Sequence, residues 1–418
     1  MKTTRLLLLL FCSMCCINCG GAHSNNGGSS GPPPPPTYTF NILYSFPGPD
    51  GPDEHGHSPL SDLILDESGN LYGTTRNGGI ADSGTVFKLS PDGSETVLHN
   101  FTGADGQYPF GGLVRDASGN FYGTTFIGGD SGNGTVYKLD SNGTQMVLHN
   151  FESLPVDGSQ PLAGLVMDNA GNLYGTANFG GTGGGGIVFK VDPSGAETVV
   201  HNFGEDATGF SPWSRLLLDS AGNLYGTNLY GGGAICECGT VFKVDPAGNG
   251  TKLYAFTGNP VAGDASGPDA ALPEAGLVRD PAGNLYGTTN QGGTAGLGAV
   301  FRIAPDGTEL VLHSFAGGAS DGAYPQQGSL LLDAEGSLYG TTGSGGNGYG
   351  TVFRLDPSGK LTLLHSFTNV DGNFPVAALG QDAAGNLYGT TEFGGIGDCR
   401  DSLGNVGGCG TVFKLSRK

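Results

Sequence analysis

Two short stretches at opposite ends of the chain, Tyr38–Phe46 (YTFNILYSF) and Gly410–Leu415 (GTVFKL), decide the architecture once the sequence between them is parsed. That interval is one unit written seven times. The string (L/F)YG(T)(T/A/N) recurs with its Tyr at 72, 122, 174, 225, 286, 339 and 388, at spacings of 50, 52, 51, 61, 53 and 49 residues. Each copy follows an acidic turn D-x-x-G-(N/S), such as Asp116 to Asn120, and precedes a Gly-rich stretch and G-(T/I/A)-V-(F/Y)-(K/R), as in Gly84 to Lys88. A second turn such as Asp192-Pro193-Ser194-Gly195 follows, then a run like Thr96 to Phe101, then a loop that is often D-G-x-x-P and leads into the next apolar run, such as Leu113-Val114-Arg115. Four short segments rich in Val, Leu, Phe, Tyr and Thr, cut by Gly, Pro, Asp and Asn turns, predict a four-stranded antiparallel meander. The runs are named strand a (Leu113), b (LYGTT), c (GTVFKL) and d (TVLHNF).

The two ends then fix the count. Tyr38–Phe46 is a lone d strand and Gly410–Leu415 is a c strand, so the last unit lacks the strand that the first supplies. Pairing the two closes a ring with no exposed edge. The expected fold is therefore all-β, a seven-bladed β-propeller of four-stranded blades over residues 38–418, closed by the N-terminal strand. A linear β-solenoid is the runner-up, and it has no need of a split unit.

Composition agrees. The chain has 418 residues with 80 Gly and 24 Pro. A fraction that high suggests disorder in an aperiodic chain, but here the glycines punctuate strands. Only 18 Lys and Arg face 38 Asp and Glu, a formal charge of −20, which excludes sequence-independent nucleic-acid binding. Lys2 and Arg5 precede the apolar run Leu6 to Ile17, the form of a signal peptide over residues 1–19. Residues 20–37 read as a Gly/Ser/Pro-rich tether whose five prolines, Pro32 to Pro36, span roughly 15 Å as polyproline. Cys19 resembles a lipoprotein acylation site, and cleavage after Ala22-His23-Ser24 is the competing reading. Either way the mature chain keeps 16 basic residues against 38 acidic, a formal −22, and is expected to be exported to the cell envelope or outer surface, lipid-anchored or secreted. It would touch membrane only through an N-terminal anchor.

The LYGTT, GG, GTVF(K/R) and D-x-x-GN elements resemble the bacterial GloVer (Gloeo_Verruco) tandem-repeat proteins, exported chains with a choice of membrane or cell-surface anchors. The resemblance covers residues 38 to 418 and implies surface attachment without an assigned activity. A looser similarity to NHL-type propellers lies in D-x-x-GN-(L)-Y. Kelch is a poorer match, Trp213 being the only Trp.

Candidate chemistry is sparse. His99, His149, His201, His313 and His365 fill one slot of strand d, with Tyr44 and Tyr254 in the other two blades. Spread around a ring, they cannot share one ion, and they read as packed aromatics with polar tips. His55 and His57 lie in a loop with Asp50, Asp53 and Glu54, which reads as a solvated acidic loop. Asp66, Asp116, Asp168, Asp219, Asp280, Asp333 and Asp382 each open an a–b turn as backbone caps. No metal or other cofactor is expected. Cys399 and Cys409 are expected to form a disulfide, and the neighbours Cys236 and Cys238 can also close, as suits an exported protein.

Chain order puts the b–c and d–a loops on one face, where the repeats differ most. That face holds Phe126, Phe179, Tyr230 and Phe393 from b–c loops and Tyr108, Trp213, Tyr324 and Phe374 from d–a loops. Asp62, Arg215 and Glu274 lie near the channel mouth. These residues suit a monomeric binding or structural module contacting a glycan or a surface protein. The alternative is a propeller-fold polysaccharide lyase or hydrolase.

Overall fold

The computed structural model describes residues 36–48, 55–152, 155, 157–204, 207–233, 236–258, 269–399 and 407–418. The chain divides into two compact units, 1–36 and 37–418. The signal segment, Cys19 and all but the last two residues of the tether lie outside the described residues, as do Asp50, Asp53 and Glu54.

All regular structure described in the second unit is β, organised as seven antiparallel four-stranded blades. The first blade runs Ile64–Leu65, Leu71–Thr75, Thr85–Leu89 and Glu95–Asn100 as strands a to d. The fourth carries an additional strand, Phe210–Pro212. In the seventh, Gly380–Gln381, Leu387–Thr391 and Thr411–Arg417 are completed by Tyr38–Ser45, paired from Tyr38↔Arg417 to Ser45↔Thr411. The ring is closed as the split repeat requires, and this is a seven-bladed β-propeller.

The repeat residues explain the blade. Strand b needs its Gly because the aromatic of strand c lies flat over it: a Cβ on Gly73 would stand 2.9 Å from the Phe87 ring, and one on Gly226 2.6 Å from Phe242. An edge-to-face pair then crosses every seam. The Phe ending strand d of one blade meets the strand c aromatic of the next, from Phe46–Phe87 at 5.3 Å through Phe101–Tyr137 at 5.0 Å to Phe367–Phe413 at 5.3 Å. Each of the seven seams holds its own apolar cluster, so the core is a wheel of wedges.

Strand d breaks the simple alternation. Its ladder to strand c slips by one residue in every blade, leaving Leu43, Leu98, Leu148, Val200, Leu253, Leu312 and Leu364 as the extra residues. Such bulges increase local twist, and each of these side chains packs against a seam cluster. At the closing seam Thr390 donates to the Ser61 carbonyl at 3.2 Å and the Ala378 amide donates to Asp62 at 2.8 Å.

Candidate functional site

The two faces of the ring are built differently. On the turn face, Asp66 Oδ1 accepts from the amides of Ser68 and Asn70, and Oδ2 accepts from Asn70 Nδ2 at 2.8 Å and the Tyr72 hydroxyl at 3.0 Å. Asp116, Asp168, Asp219 and Asp382 repeat the arrangement. Burial pushes the Asp116 carboxyl up, but the bonds from Asn120, Tyr122 and Ser118 outweigh it and hold it below its usual range. With its acceptor sites used internally, each carboxylate serves its turn.

On the loop face each d–a loop pairs with the b–c loop of the blade it enters. Gly56–His57 pairs with Asn77–Gly78, and Gly158–Ser159 with Phe179–Gly180; single bridges Gln107↔Ile127 and Asn373↔Phe393 do the same elsewhere. The residue before each loop proline is left-handed: Ser58, Tyr108, Gln160, Ser211, Leu272, Tyr324 and Phe374, with φ from 55° to 64°. Proline normally drives its predecessor to extended backbone, so each position costs on the order of 1–3 kcal/mol. The strain is held by a stitch: the Tyr108 amide donates to the Ser83 carbonyl of the preceding blade at 2.9 Å, while its own carbonyl accepts from Phe126 N at 3.0 Å. The same donation recurs at Tyr324 to Leu297 and Phe374 to Tyr349. Three of the aromatic candidates thus sit on fixed, strained backbone.

The strand d slot is tied to these loops. His99 meets Asp105 at 2.8 Å, His149 meets Asp157 at 3.1 Å, His313 meets Asp321 at 3.2 Å and His365 meets Asp371 at 3.1 Å. The same Asp caps the backbone after the seam Phe, as Asp105 does for the Thr102 amide at 2.8 Å. His55 turns to Glu95 across the closing seam at 2.6 Å, and His57 lies 3.5 Å from Asp82.

A channel cavity of about 550 Å³ lies at the centre, walled by Leu63, Val114, Val166, Leu217, Val278 and Leu330 among others. Toward the loop face it narrows to about 30 Å³ between Phe110, Leu162, Trp213 and Ala377. Asp62 and Arg215, from the first and fourth blades, lie across this neck at 3.6 Å and line both spaces. Their five counterparts are Gly112, Gly164, Gly276, Ser329 and Ala378. A carboxylate and a guanidinium among small residues thus face each other across an otherwise largely apolar channel.

Around the mouth, Arg76 stacks over Phe110 at 4.9 Å and reaches Glu392 at 3.5 Å, while Phe110 meets Phe126 edge-on at 5.3 Å. Trp213 Nε1 donates to Asn178 Oδ1 at 2.9 Å. Burial pushes Glu274 up to about 7, with a bond from Asn290 acting in the other direction. Burial pushes Glu392 to about 7 even beside Arg76, which is itself half-exposed. Phe179 (44% exposed), Tyr230 (39%) and Tyr324 (37%) are open to solvent, whereas Phe126, Phe393, Tyr108, Trp213 and Phe374 are half-buried. Tyr230 stacks on Phe210 at 5.6 Å. Both cysteine pairs are bonded, Cys236–Cys238 and Cys399–Cys409.

Sequence reading missed Arg76, Phe110 and Glu392. The signal was present: they occupy the positions just after LYGTT and just after the loop proline, where other repeats carry different residue types.

The fold and this loop face define a closed β-propeller with one uniform and one varied surface. The Gloeobacter/Verrucomicrobia repeat matches residues 20–236, 147–270 and 237–418, and the chain belongs to that family. No curated protein matches the sequence. Among solved structures, the extracellular domain of a one-component system of B. thetaiotaomicron is 11% identical with a TM-score of 0.54, covering 91% of this chain and 40% of that one. The extracellular domain of a hybrid two-component system of the same organism is 14% identical with a TM-score of 0.54, covering 92% and 41%. The chain spans about two fifths of the length of those structures, and the likeness is one of fold.

Proposed function

We propose that this protein is an exported, surface-held binding module that takes a glycan ligand on its loop face. The distribution of exposed apolar side chains carries the reading. Among the described residues ten large hydrophobics are exposed, and Ile80, Phe179, Tyr230, Tyr324, Tyr349, Val370 and Ile396 lie in b–c or d–a loops. The others, Ile42, Met146 and Leu310, are on outer strands, and the turn face has none. Aromatic side chains on rigid loops offer flat faces to sugar rings at little entropic cost. Two disulfides fit an oxidising compartment, as does the extracellular setting of the two solved propellers. The test is a glycan array probed with residues 37–418: binding lost in Phe179→Ala or Tyr230→Ala supports the reading. Binding that survives both changes, or a protein ligand captured on the turn face, overturns it.

One observation favours the lyase or hydrolase reading. Glu274 and Glu392 are carboxyls raised to about 7 beside the mouth, as a general acid requires. Polysaccharide turnover abolished by Glu274→Gln would decide for it.

A further inference from the structure

Three positions meet at the loop-side rim of each seam: the polar-tipped aromatic of strand d, the acidic position of the following loop, and the first paired residue of the next blade's strand d. The seven seams act as mutual controls. At the first, His99 and Asp105 face Gln145, whose Nε2 donates to the Asp105 carbonyl at 3.3 Å. At the third, His201 and Thr208 face Gly250. At the fifth the last position is Leu361, and at the sixth Phe40 stacks on His365 at 3.7 Å. At the closing seam His55 Nδ1 lies 2.6 Å from Glu95 Oε2, and at the fourth Tyr254 and Asp269 face Glu309.

Among the described residues, the second seam alone brings an imidazole and two carboxyls together. Ligand atoms of His149, Asp157 and Glu197 lie within 4.8 Å of one another. Asp157 is fixed as an anion: the Glu152 amide donates to its Oδ2 at 2.8 Å and the Gly158 amide to its Oδ1 at 2.6 Å. Glu197 has a buried Oε1 with no hydrogen-bond partner. Two carboxylates beside a single imidazole leave a charge deficit that a dication matches.

We propose that His149, Asp157 and Glu197 bind a divalent transition-metal ion, Zn²⁺ by its ligand chemistry, clamping the second blade to the third. Neutral imidazole and two carboxylates give a neutral complex with a fourth position for water, and Zn²⁺ takes such N/O donors at about 2.0–2.2 Å. Ca²⁺ needs roughly six to eight oxygens, more than this trio supplies. The inference is independent of the loop-face ligand.

The experiment is equilibrium dialysis of chelator-treated protein, residues 37–418, against Zn²⁺, with Ca²⁺ in parallel, read by elemental analysis and by thermal unfolding. The expected result is one tight equivalent of Zn²⁺, weak Ca²⁺ uptake and a rise in Tm with Zn²⁺. Glu197→Gln should abolish the Tm rise and weaken binding by roughly 100-fold or more, beyond the range for losing an outer-shell partner. Glu309→Gln, at the seam with Tyr in place of His, should leave both unchanged. Glu197→Gln removes a buried carboxyl from beside Asp157, so the apo variant should melt no lower than apo wild type, separating lost binding from lost folding. No tight Zn²⁺ equivalent in the wild type, or equal binding by Glu197→Gln, overturns the proposal.

Discussion

The turn face and the loop face are made from the same seven repeats, yet one is nearly invariant and the other differs at almost every blade. On the turn face Asp116, Asn120 and Tyr122 bond to one another, and the same set recurs around the ring. On the loop face the backbone stitch at Tyr108, Tyr324 and Phe374 recurs, while the side chains it displays change freely. A repeat can vary where its backbone alone secures the loop, and it cannot where side chains do the securing. The difference separates what holds the ring from what the ring presents.

The comparison can be broken in four ways, from the largest expected effect to the smallest. The seams serve both faces, so Phe46→Ala, which empties a fully buried position at the closing seam, should cost about 3–5 kcal/mol in urea unfolding. A loss near zero would mean that the first strand is dispensable.

The buried carboxyls at the channel mouth and the turn aspartates should also respond oppositely to pH. Glu392 has a native value of about 7 against an ordinary 4.5. Its contribution is therefore present in full below pH 4.5 and is lost as pH rises through 7, about 3 kcal/mol. Glu274 acts in the same direction. The turn aspartates are held below their usual 3.8, so their contribution is present above that value and lost as pH falls. Stability measured from pH 4 to 8 should decline toward the alkaline end, and Glu392→Gln should flatten the slope. An unchanged slope in that variant would remove Glu392 from the account.

Tyr122→Phe deletes one hydrogen bond to a carboxylate on the turn face and should cost about 1–2 kcal/mol without altering ligand binding. Phe179→Ala on the loop face should change stability by less than about 0.5 kcal/mol while removing glycan binding. A variant that exchanged these two outcomes would reverse the roles of the faces.

The fold was legible because it is local information repeated. Seven copies of D-x-x-G-N-L-Y and G-T-V-F-K place every turn, and the lone strand at Tyr38 supplies the closure. What escaped was contact between repeats. The bond from Trp213 to Asn178 joins residues 35 apart in sequence, and Arg76 reaches Glu392 across 316. No spacing rule within one repeat reports such pairs. The His–Asp ties fall between, six to eight residues apart and visible in four blades, yet without the structure the histidines read only as packed aromatics. Asp62 and Arg215 were legible as charges near the mouth, and their meeting across the channel was not.

The pairing of Tyr38–Ser45 with Thr411–Arg417 also sets a schedule. The first strand of the ring waits for its last, so the wheel cannot lock until Thr411–Arg417 has been made. Contacts so distant in sequence fold slowly, and the unlocked chain offers bare strand edges to its neighbours meanwhile.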